Sequence, residues 1–573
     1  MKIIGKWLCC GLLAMLSALG GGQLSAASRV TSAIESFRER LAETMPEEQL
    51  VKLTEAEVIG LLTPEERKFF SSEYIRFRVN QPVEVHVLRS VKEQGGIFWL
   101  DELGFELQAD TARANLRRHQ IWSRKYEPGL IGLGVNTFAP QRDPVFIVVE
   151  PQADDSENLK IIPLSPEGLT LDRAVPGKKI YSDDLAELQE IPESLQGGVL
   201  LQTPRWERDH VKVVQYFKNT AFPSTDRPDQ VVLTWSKDPS TTQTLQWRTG
   251  PGTSTGAVKF LKAEKYFTFS PSEPETVQAS SVRYRTPGIL NDPVNYRHEV
   301  TLEGLEPDTE YVYAVGDGSN SGWGTLHQFQ TAPESPETFS FIFMGDVQRG
   351  IEDWGLLLER TYSAHPEAAF YLLGGDLVNW GVDRDNWDTF FAHASPVFSE
   401  KSLVPVVGNH EAYGPGRHPT LYLDFLGLPL KGPFGIEPER AYSFSYGNAL
   451  FVILDSMQPA EAQAEWLDRI LADSSATWKI VSFHFALYPS EPDRDYRAIR
   501  EAWVPVLDRH EVDLVLQGHD HVYGRTFPMR AHRPVIPGEK GTIYVTAYAG
   551  TKHGEGITPN AEVSFTGVPT YQL

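Results

Sequence analysis

The most constraining feature of this chain is a pattern that recurs five times between residues 338 and 521. An apolar run of strand length stops abruptly at a polar tip. Phe339–Phe343 leads to Gly345-Asp346-Val347-Gln348, Ala369–Leu373 to Gly375-Asp376-Leu377-Val378-Asn379, and Leu403–Val407 to Gly408-Asn409-His410-Glu411. Val481-Ser482-Phe483 leads to His484, and the run 512–517 leads to Gly518-His519-Asp520-His521. Amphipathic helical stretches alternate with these runs, at Glu352–Arg360, Asp385–Phe398, Glu461–Ala472 and Asp495–His510. Tyr442–Tyr446 with Ala449–Leu454 reads as a hairpin, and Thr542–Thr546 as a further strand. Apolar strands alternating with helices predict a layered α/β domain with buried strands. Ligands bind at the carboxyl ends of strands in such sheets, so the five tips can converge. Glycine before Asp or Asn lets the chain turn sharply and aim the next side chain into a cleft.

This domain is expected to span 334–573. Before it, residues 206–333 read as all-β. Val231–Trp235 and Thr244–Thr249 place Trp235 and Trp247 at alternating positions, and Tyr296–Leu302 and Tyr311–Val315 follow with turn residues between. Short strands at this spacing predict a β-sandwich. The sequence Leu305-x-Pro307-x-Thr309-x-Tyr311 is similar to the corner before a late strand of a fibronectin type III-like domain. Residues 331–337 read as a linker.

Residues 28–205 read as an accessory region, helical and then β. Ala33–Met45 and Pro46–Phe70 carry apolar residues at helical spacing, with Thr54 and Thr63-Pro64-Glu65-Glu66 as helix starts. Tyr74–Val79 and Val83–Leu88 alternate as strands around the turn Asn80-Gln81-Pro82. No chemical constellation is visible in this region. Residues 1–27 read as a secretory signal: Lys2 and Lys6 start it, Trp7–Leu19 form its apolar core, and Ser25-Ala26-Ala27 offer a cleavage site. The run is short for a membrane span, so a secreted or periplasmic protein without a membrane anchor is expected.

Both cysteines, Cys9 and Cys10, lie in that signal. The mature chain therefore forms no disulfide and no thiolate metal site. The formal charge is −23, and loss of Lys2 and Lys6 with the signal takes it to −25. A basic nucleic-acid-binding surface is excluded on that balance. Any polyanionic substrate must be met by a local cation.

The ordered set Gly-Asp, Gly-Asp, Gly-Asn-His-Glu, Val-x-x-His and Gly-His-x-His resembles the calcineurin-like metallophosphoesterases. Gly518-His-Asp-His-Val-Tyr-Gly-Arg-Thr-Phe-Pro528, with the sandwich before it, resembles the purple acid phosphatase branch over roughly residues 225–573. The resemblance implies an α/β/β/α domain and an exported hydrolase of phosphate monoesters that uses a metal-activated water. Two ions, Fe, Zn or Mn, would be held by Asp346, Asp376 and His521 on one side and by Asp376, Asn409, His484 and His519 on the other. Asp376 would bridge them, and His410 would be catalytic, contacting substrate oxygen and protonating the leaving group. Asp520 would point away, and Glu411 would support its loop.

Three positions depart from the family pattern. Asn379 replaces the Tyr whose bond to Fe(III) gives the purple colour, so no purple band is expected. Gln348 stands where many relatives have His. Phe485 stands where a second His commonly follows His484. Gln348 and Asn379 are candidate metal or substrate contacts, and Tyr413 and Arg525 are candidate cleft residues. His365, His393, His418, His510 and His553 lack motif support, and Trp380 and Trp387 read as packing. The partner expected is a small phosphorylated molecule. The same metal core also serves phosphodiesters and nucleotides, with the choice set by loops such as 413–431 and 489–497. A binding protein with a relic metal site is the alternative of another class.

Overall fold

The computed structural model describes residues 26–565, apart from 94–96, 115, 141, 154–157, 183–185, 206–209, 267–272, 335–337, 414–417, 492–493, 537, 555 and 558. Residues 1–25 of the expected secretory signal lie outside the described residues, as does part of the linker 331–337. No helix among the described residues is long and apolar enough to cross a membrane. These residues form two compact units. One runs to Lys218 and takes in Pro287–Leu290, and the other comprises Asn219–Thr286 with Asn291 onward.

The first unit opens with the helix Ala26–Thr44 and the short helices Glu55–Gly60 and Pro64–Ser72. Both expected starts form capping boxes. Glu66 N donates to Thr63 Oγ1 at 3.2 Å while Thr63 N donates to the Glu66 carboxylate at 2.8 Å, and Thr54 with Glu57 does the same. The helices close on Phe37, Leu41, Val58 and Phe70. The turn after Val79 is not that of a hairpin. Ile75–Val79 belongs to a three-stranded sheet, whereas Val83–Ser90 lies in the middle of a seven-stranded one. Residues 210–218, grouped with the sandwich on sequence, pack in this unit: Val211, Val213 and Phe217 belong to its helical core.

In the second unit, antiparallel strands from Asp229 to Gln330 form the sandwich. Glu275–Arg285 is shared between its layers. Residues 275–279 pair with 256–260, and residues 280–285 pair with 294–299. Leu233, Trp247, Val258, Val300, Tyr313 and Phe329 fill the interior. Tyr311 Oη accepts from Glu306 N at 2.9 Å, which ties the corner that the Leu-x-Pro-x-Thr-x-Tyr spacing announces. The two tryptophans part company. Trp247 faces the sandwich interior, whereas Trp235 packs with Phe370, Phe444 and Tyr446 of the following domain.

That domain stacks two sheets. Ser340–Met344, Ala368–Leu373 and Ser402–Pro405 run parallel in the first. In the second, Ala449–Ile453, Trp478–Ser482, Leu514–Gln517 and Ile543–Thr546 run parallel, edged by Tyr442–Tyr446 on one side and by Tyr523–Thr526 and Ala561–Phe565 on the other. Phe370, Phe444, Phe451 and Leu516 fill the space between the sheets. The helices Ile351–Ala364 and Arg384–Phe398 cover the first sheet through Trp354, Phe390 and Phe398. Ala460–Ala472 and Arg497–Arg509 cover the second through Trp466, Leu467, Trp503 and Leu507. The domain is thus the expected α/β/β/α stack.

A buried ion network fastens the sandwich to the helix that follows the second tip. Arg248 donates to Asp229 at 2.9 and 2.7 Å and to Asp388 at 2.8 Å. Arg384 donates to Asp388 at 3.1 Å and to the carbonyl and carboxylate of Asp292. Every charge in this set has an opposite partner, which is the condition under which buried ions are tolerated.

Candidate metal centre

The five tips emerge at one end of the stacked sheets, and four of their residues sit in the left-handed backbone region. The φ values are +47° at Asp346, +54° at Asp376, +74° at His519 and +52° at His521. Non-glycine residues pay for that conformation, on the order of 1 kcal/mol or more each, and persist in it only where surrounding bonds over-determine it. Here those bonds connect one tip to the next. His519 N donates to Asp346 Oδ2 at 2.6 Å, and His410 N donates to Asp376 Oδ1 at 2.9 Å. Asp346 N donates to Gly375 O at 3.2 Å, and Gln348 N to Asp376 O at 3.0 Å. Gly408 is required by proximity, since a Cβ there would overlap Asp376 N and Oδ1.

Glu411 organises two of the tips. Its carboxylate accepts four backbone N–H groups: Asp376 at 2.9 Å, Leu377 at 2.8 Å, Val378 at 3.2 Å and Gly408 at 2.8 Å. Burial and the nearby Asp376 charge push its carboxyl up, while these donors oppose the rise. Glu411 is therefore consumed by backbone and is not a free ligand. Asp520 is likewise turned away, as read from its place between two histidines. It accepts from Ser490 N and Oγ, at 2.5 and 3.0 Å, and from Arg494 Nη1 at 2.7 Å.

Acceptor atoms of four residues then meet at one place. His484 Nδ1–H donates to Gly374 O at 2.9 Å, which leaves Nε2 as the bare nitrogen of the neutral ring. That nitrogen faces Asn409 Oδ1 at 3.1 Å, His519 Nδ1 at 3.2 Å and Asp376 Oδ1 at 3.3 Å. Ligand atoms of Asp376, His484 and His519 all lie within 4.8 Å of one another. Acceptors converging on one point demand positive charge there. Burial alone pulls the His484 imidazole down, but Asp376 and Asp346 outweigh it and hold the ring at about 9. A proton can meet that demand, and so can a cation. A second cluster adjoins the first across Asp376. Asp346 Oδ1 lies 3.6 Å from His521 Nε2, and the Gln348 amide spans Asp376 Oδ2 at 3.2 Å and His521 Nε2 at 3.5 Å. Turning that amide by 180° would present Oε1 at the same point.

The donor set fits a pair of ions. Asp346 Oδ1, Gln348 Oε1, Asn379 Oδ1 and His521 Nδ1 are buried without a hydrogen-bond partner. Buried polar atoms are normally satisfied, and two of these, Asp346 Oδ1 and Gln348 Oε1, belong to residues of the second cluster. The donors are carboxylate, amide and imidazole with no sulfur, which suits Fe, Zn or Mn. Burial pushes the Asp346 carboxyl up to about 8 and His521 down to about 3, and it takes His519 well below the usual imidazole range. One carboxyl and one imidazole pushed up beside two imidazoles pushed down are what a dinuclear cation site would reconcile.

His410 stands beside this cluster. Its Nδ1–H donates to Asn379 O at 2.7 Å, and Nε2 lies 3.7 Å from Asp376 Oδ2. Tyr413 packs on the ring at 4.6 Å, accepts from Asn409 Nδ2 at 3.3 Å, and rests on Trp380 at 5.0 Å. Tyr413 is thus brought to the site. Arg525 is not: it pairs with Glu562 at 3.0 Å on the neighbouring edge strands. Trp387 is fully buried and donates to Gly381 O at 2.9 Å, a packing role. His365, His418 and His510 bond local acids, and His393 packs on Phe222. His553 is exposed. The sequence reading missed two cations. Arg494 donates to His519 O at 3.0 Å, and Lys552 follows the strand Ile543–Thr546. Its tip, Ala547-Tyr-Ala-Gly-Thr-Lys552, lacks the Asp, Asn or His that marks the other five.

Residues 228–331 match the family model for the purple acid phosphatase N-terminal domain, and residues 339–523 match that for the calcineurin-like phosphoesterases. The chain belongs to the purple acid phosphatase-like branch of the calcineurin-like phosphoesterases. Among members of this family, purple acid phosphatase 15 of Arabidopsis thaliana is 27% identical over 283 residues, covering 42% of this chain and 52% of its own length. Purple acid phosphatase 23 of the same plant is 24% identical over 405 residues, covering 60% and 85%. An uncharacterised Mycobacterium tuberculosis protein is 27% identical over 308 residues, covering 45% and 56%. The chain therefore spans little more than half the length of several of these relatives. A purple acid phosphatase from yellow lupin seeds shares the fold, with a TM-score of 0.50, 16% identity and coverage of 87% and 83%.

Proposed function

We propose that this chain is an exported, dinuclear-metal-dependent phosphoesterase that hydrolyses phosphate monoesters of small molecules. The observation that carries the reading is the meeting of His484 Nε2, His519 Nδ1, Asn409 Oδ1 and Asp376 Oδ1, with Asp346, Gln348 and His521 completing a second cluster across the shared Asp376. The Fe, Zn or Mn pair that such ligands suit supplies, when bound, a nucleophile at neutral pH and neutralises phosphate oxygens.

The remaining work falls to the chain's own residues. Asn379 O holds the His410 Nδ1 proton, so Nε2 is the atom left to face a substrate. Burial lowers His410 against the pull of Asp376, which leaves Nε2 unprotonated near neutrality. A phosphate dianion arriving beside it favours the imidazolium, and Nε2 can then pass its proton to the leaving oxygen. Tyr413 fixes the ring plane from one side. Phe485 stacks on Tyr496 at 4.5 Å and packs on His519 at 4.6 Å, which gives that side of the cleft an apolar wall where relatives have a histidine. Asn379 offers an amide in place of a phenolate, so the enzyme should lack a purple charge-transfer band whichever metal it holds.

Paired assays on p-nitrophenyl phosphate and bis-p-nitrophenyl phosphate test the monoester reading. Faster turnover of the monoester is expected, and clearly faster turnover of the diester would overturn it. Export is tested by expressing the full chain with its first 27 residues and locating the product. A product retained in the cytoplasm would contradict the secretory reading of that segment.

A further inference from the structure

The strand Ile543–Thr546 ends in a sixth tip, Ala547-Tyr-Ala-Gly-Thr-Lys-His-Gly554. Its backbone is strapped to the metal-site loops at four points. Ala549 N donates to Gly345 O at 2.6 Å, Gly550 N to Asp346 O at 3.0 Å, Thr551 N to Arg349 O at 2.9 Å, and Gly554 N to His521 O at 2.7 Å. Two of these four are carbonyls of Asp346 and His521, residues of the same ion cluster. Lys552 lies midway between the straps at Gly550 and Gly554, so its Cα is within about 8 Å of both Cα atoms. Its side chain is exposed and, among the described residues, makes no ion pair. Nothing in the straps uses the ammonium, so the structure fixes the backbone of this lysine while leaving its charge uncommitted.

The surroundings show what that charge faces. The Lys552 field acts on Asp346 and Asp376 and reaches His410 and His521. Two further cations share the rim. Arg349 is exposed on the loop bonded to Thr551, and Arg494 is anchored on His519 O and Asp520. A chain with a net charge of −23 gathers three positive side chains at one mouth. The His410 imidazole and the two metal ions already serve the scissile phosphate under the phosphoesterase reading, so the exposed ammonium at the rim is available to something beyond it.

We propose that Lys552 is a specificity-determining residue that holds a second negative charge on the leaving group, so that the preferred substrates are phosphate esters of anionic molecules rather than of neutral ones. This rests on the phosphoesterase reading. The ester enters with its phosphate on the Asp346–Asp376–His484 cluster and its second anion toward the Gly550–Gly554 strap.

The test compares phenyl phosphate with 4-carboxyphenyl phosphate on the full metal-loaded chain. Lys552→Ala should raise KM for the carboxylated ester about fivefold, the size expected of one exposed charge pair, with kcat changed less than twofold and phenyl phosphate KM unaltered. Lys552→Arg should restore the wild-type KM, and Lys552→Glu should raise it further. Equal losses on both esters would show that Lys552 serves the scissile phosphate and would overturn the proposal, as would no change on either. Calorimetric binding of phenylphosphonate and 4-carboxyphenylphosphonate provides a readout without turnover. Lys552→Ala should weaken only the carboxylated ligand, and equal affinities in wild type and variant would overturn the assignment even if no ester is hydrolysed. Absence of hydrolysis by the wild type with Fe, Zn or Mn counts against the phosphoesterase reading alone.

Discussion

Glu411→Gln is the sharpest perturbation of the scaffold, because the change is one atom and its partners are four. In the wild type one carboxylate oxygen accepts from Leu377 N and Val378 N, and the other accepts from Asp376 N and Gly408 N. Glutamine keeps one acceptor and turns a donor toward the other pair of N–H groups. Two hydrogen bonds to a charged acceptor are lost, each worth about 1.5–3 kcal/mol, and two buried N–H groups are left unpaired. Removing the charge beside Asp376 relieves some repulsion, so a net loss of about 3 kcal/mol is expected, at the low end of the direct sum. The loss falls on the backbone of the second and third tips and so displaces Asp376 and Asn409 together. Metal affinity should fall 10- to 100-fold, as is typical when the support behind ligands is removed. Differential scanning calorimetry of the apo chain and competitive chelator titration of the loaded chain measure the two effects. A variant with unchanged melting and unchanged metal affinity would refute the placement of Glu411 as the anchor of both tips.

Asp376→Asn should loosen both ions, since each oxygen of Asp376 faces a different cluster, and a variant that kept two ions and full rate would contradict the bridging role. His410→Ala should keep metal content and lose turnover by about 100-fold or more, within the range of general acid catalysis, and a retained rate would move that role elsewhere. Folding should weaken in acid. Burial depresses His86, His119 and His298 to about 4 in the folded state, against an ordinary value near 6.5. Between those values the unfolded chain binds more protons, so stability is full above pH 6.5 and falls as pH drops toward 4. His298, stacked on Trp247 and bonded to Thr249 and Ser281, should contribute about 2–3 kcal/mol of that fall. Melting curves from pH 7 to 4 check this, and His298→Gln should flatten the slope.

The layered domain was legible because its strands are apolar on both faces and each ends in a marked tip. The same tips showed which polar side chains could meet. What spacing could not show was the division of labour inside a motif. Asn409, His410 and Glu411 are consecutive, yet one faces the bare nitrogen of His484, one faces the cleft and one is consumed by four backbone amides. Arg525 looked like a cleft residue because it follows Gly518-His-Asp-His, but strand alternation and Glu562 take it to the sheet edge. Lys552 was overlooked because its tip carries no Asp or Asn after glycine, and its nearness to Asp346 comes from backbone straps that leave no trace in side-chain pattern. In the first unit, Asn80-Gln81-Pro82 has turn composition, but composition does not say whether a turn pairs two strands or passes the chain between sheets.

The central claim is a dinuclear site without a phenolate ligand, and metal content taken together with the visible spectrum tests it most directly. Elemental analysis of the full-length chain should find two ions per molecule, drawn from Fe, Zn and Mn. Its visible absorption should show no purple band, because Asn379 stands at the tyrosine position. Well under two ions per chain after supply of each metal would contradict the account.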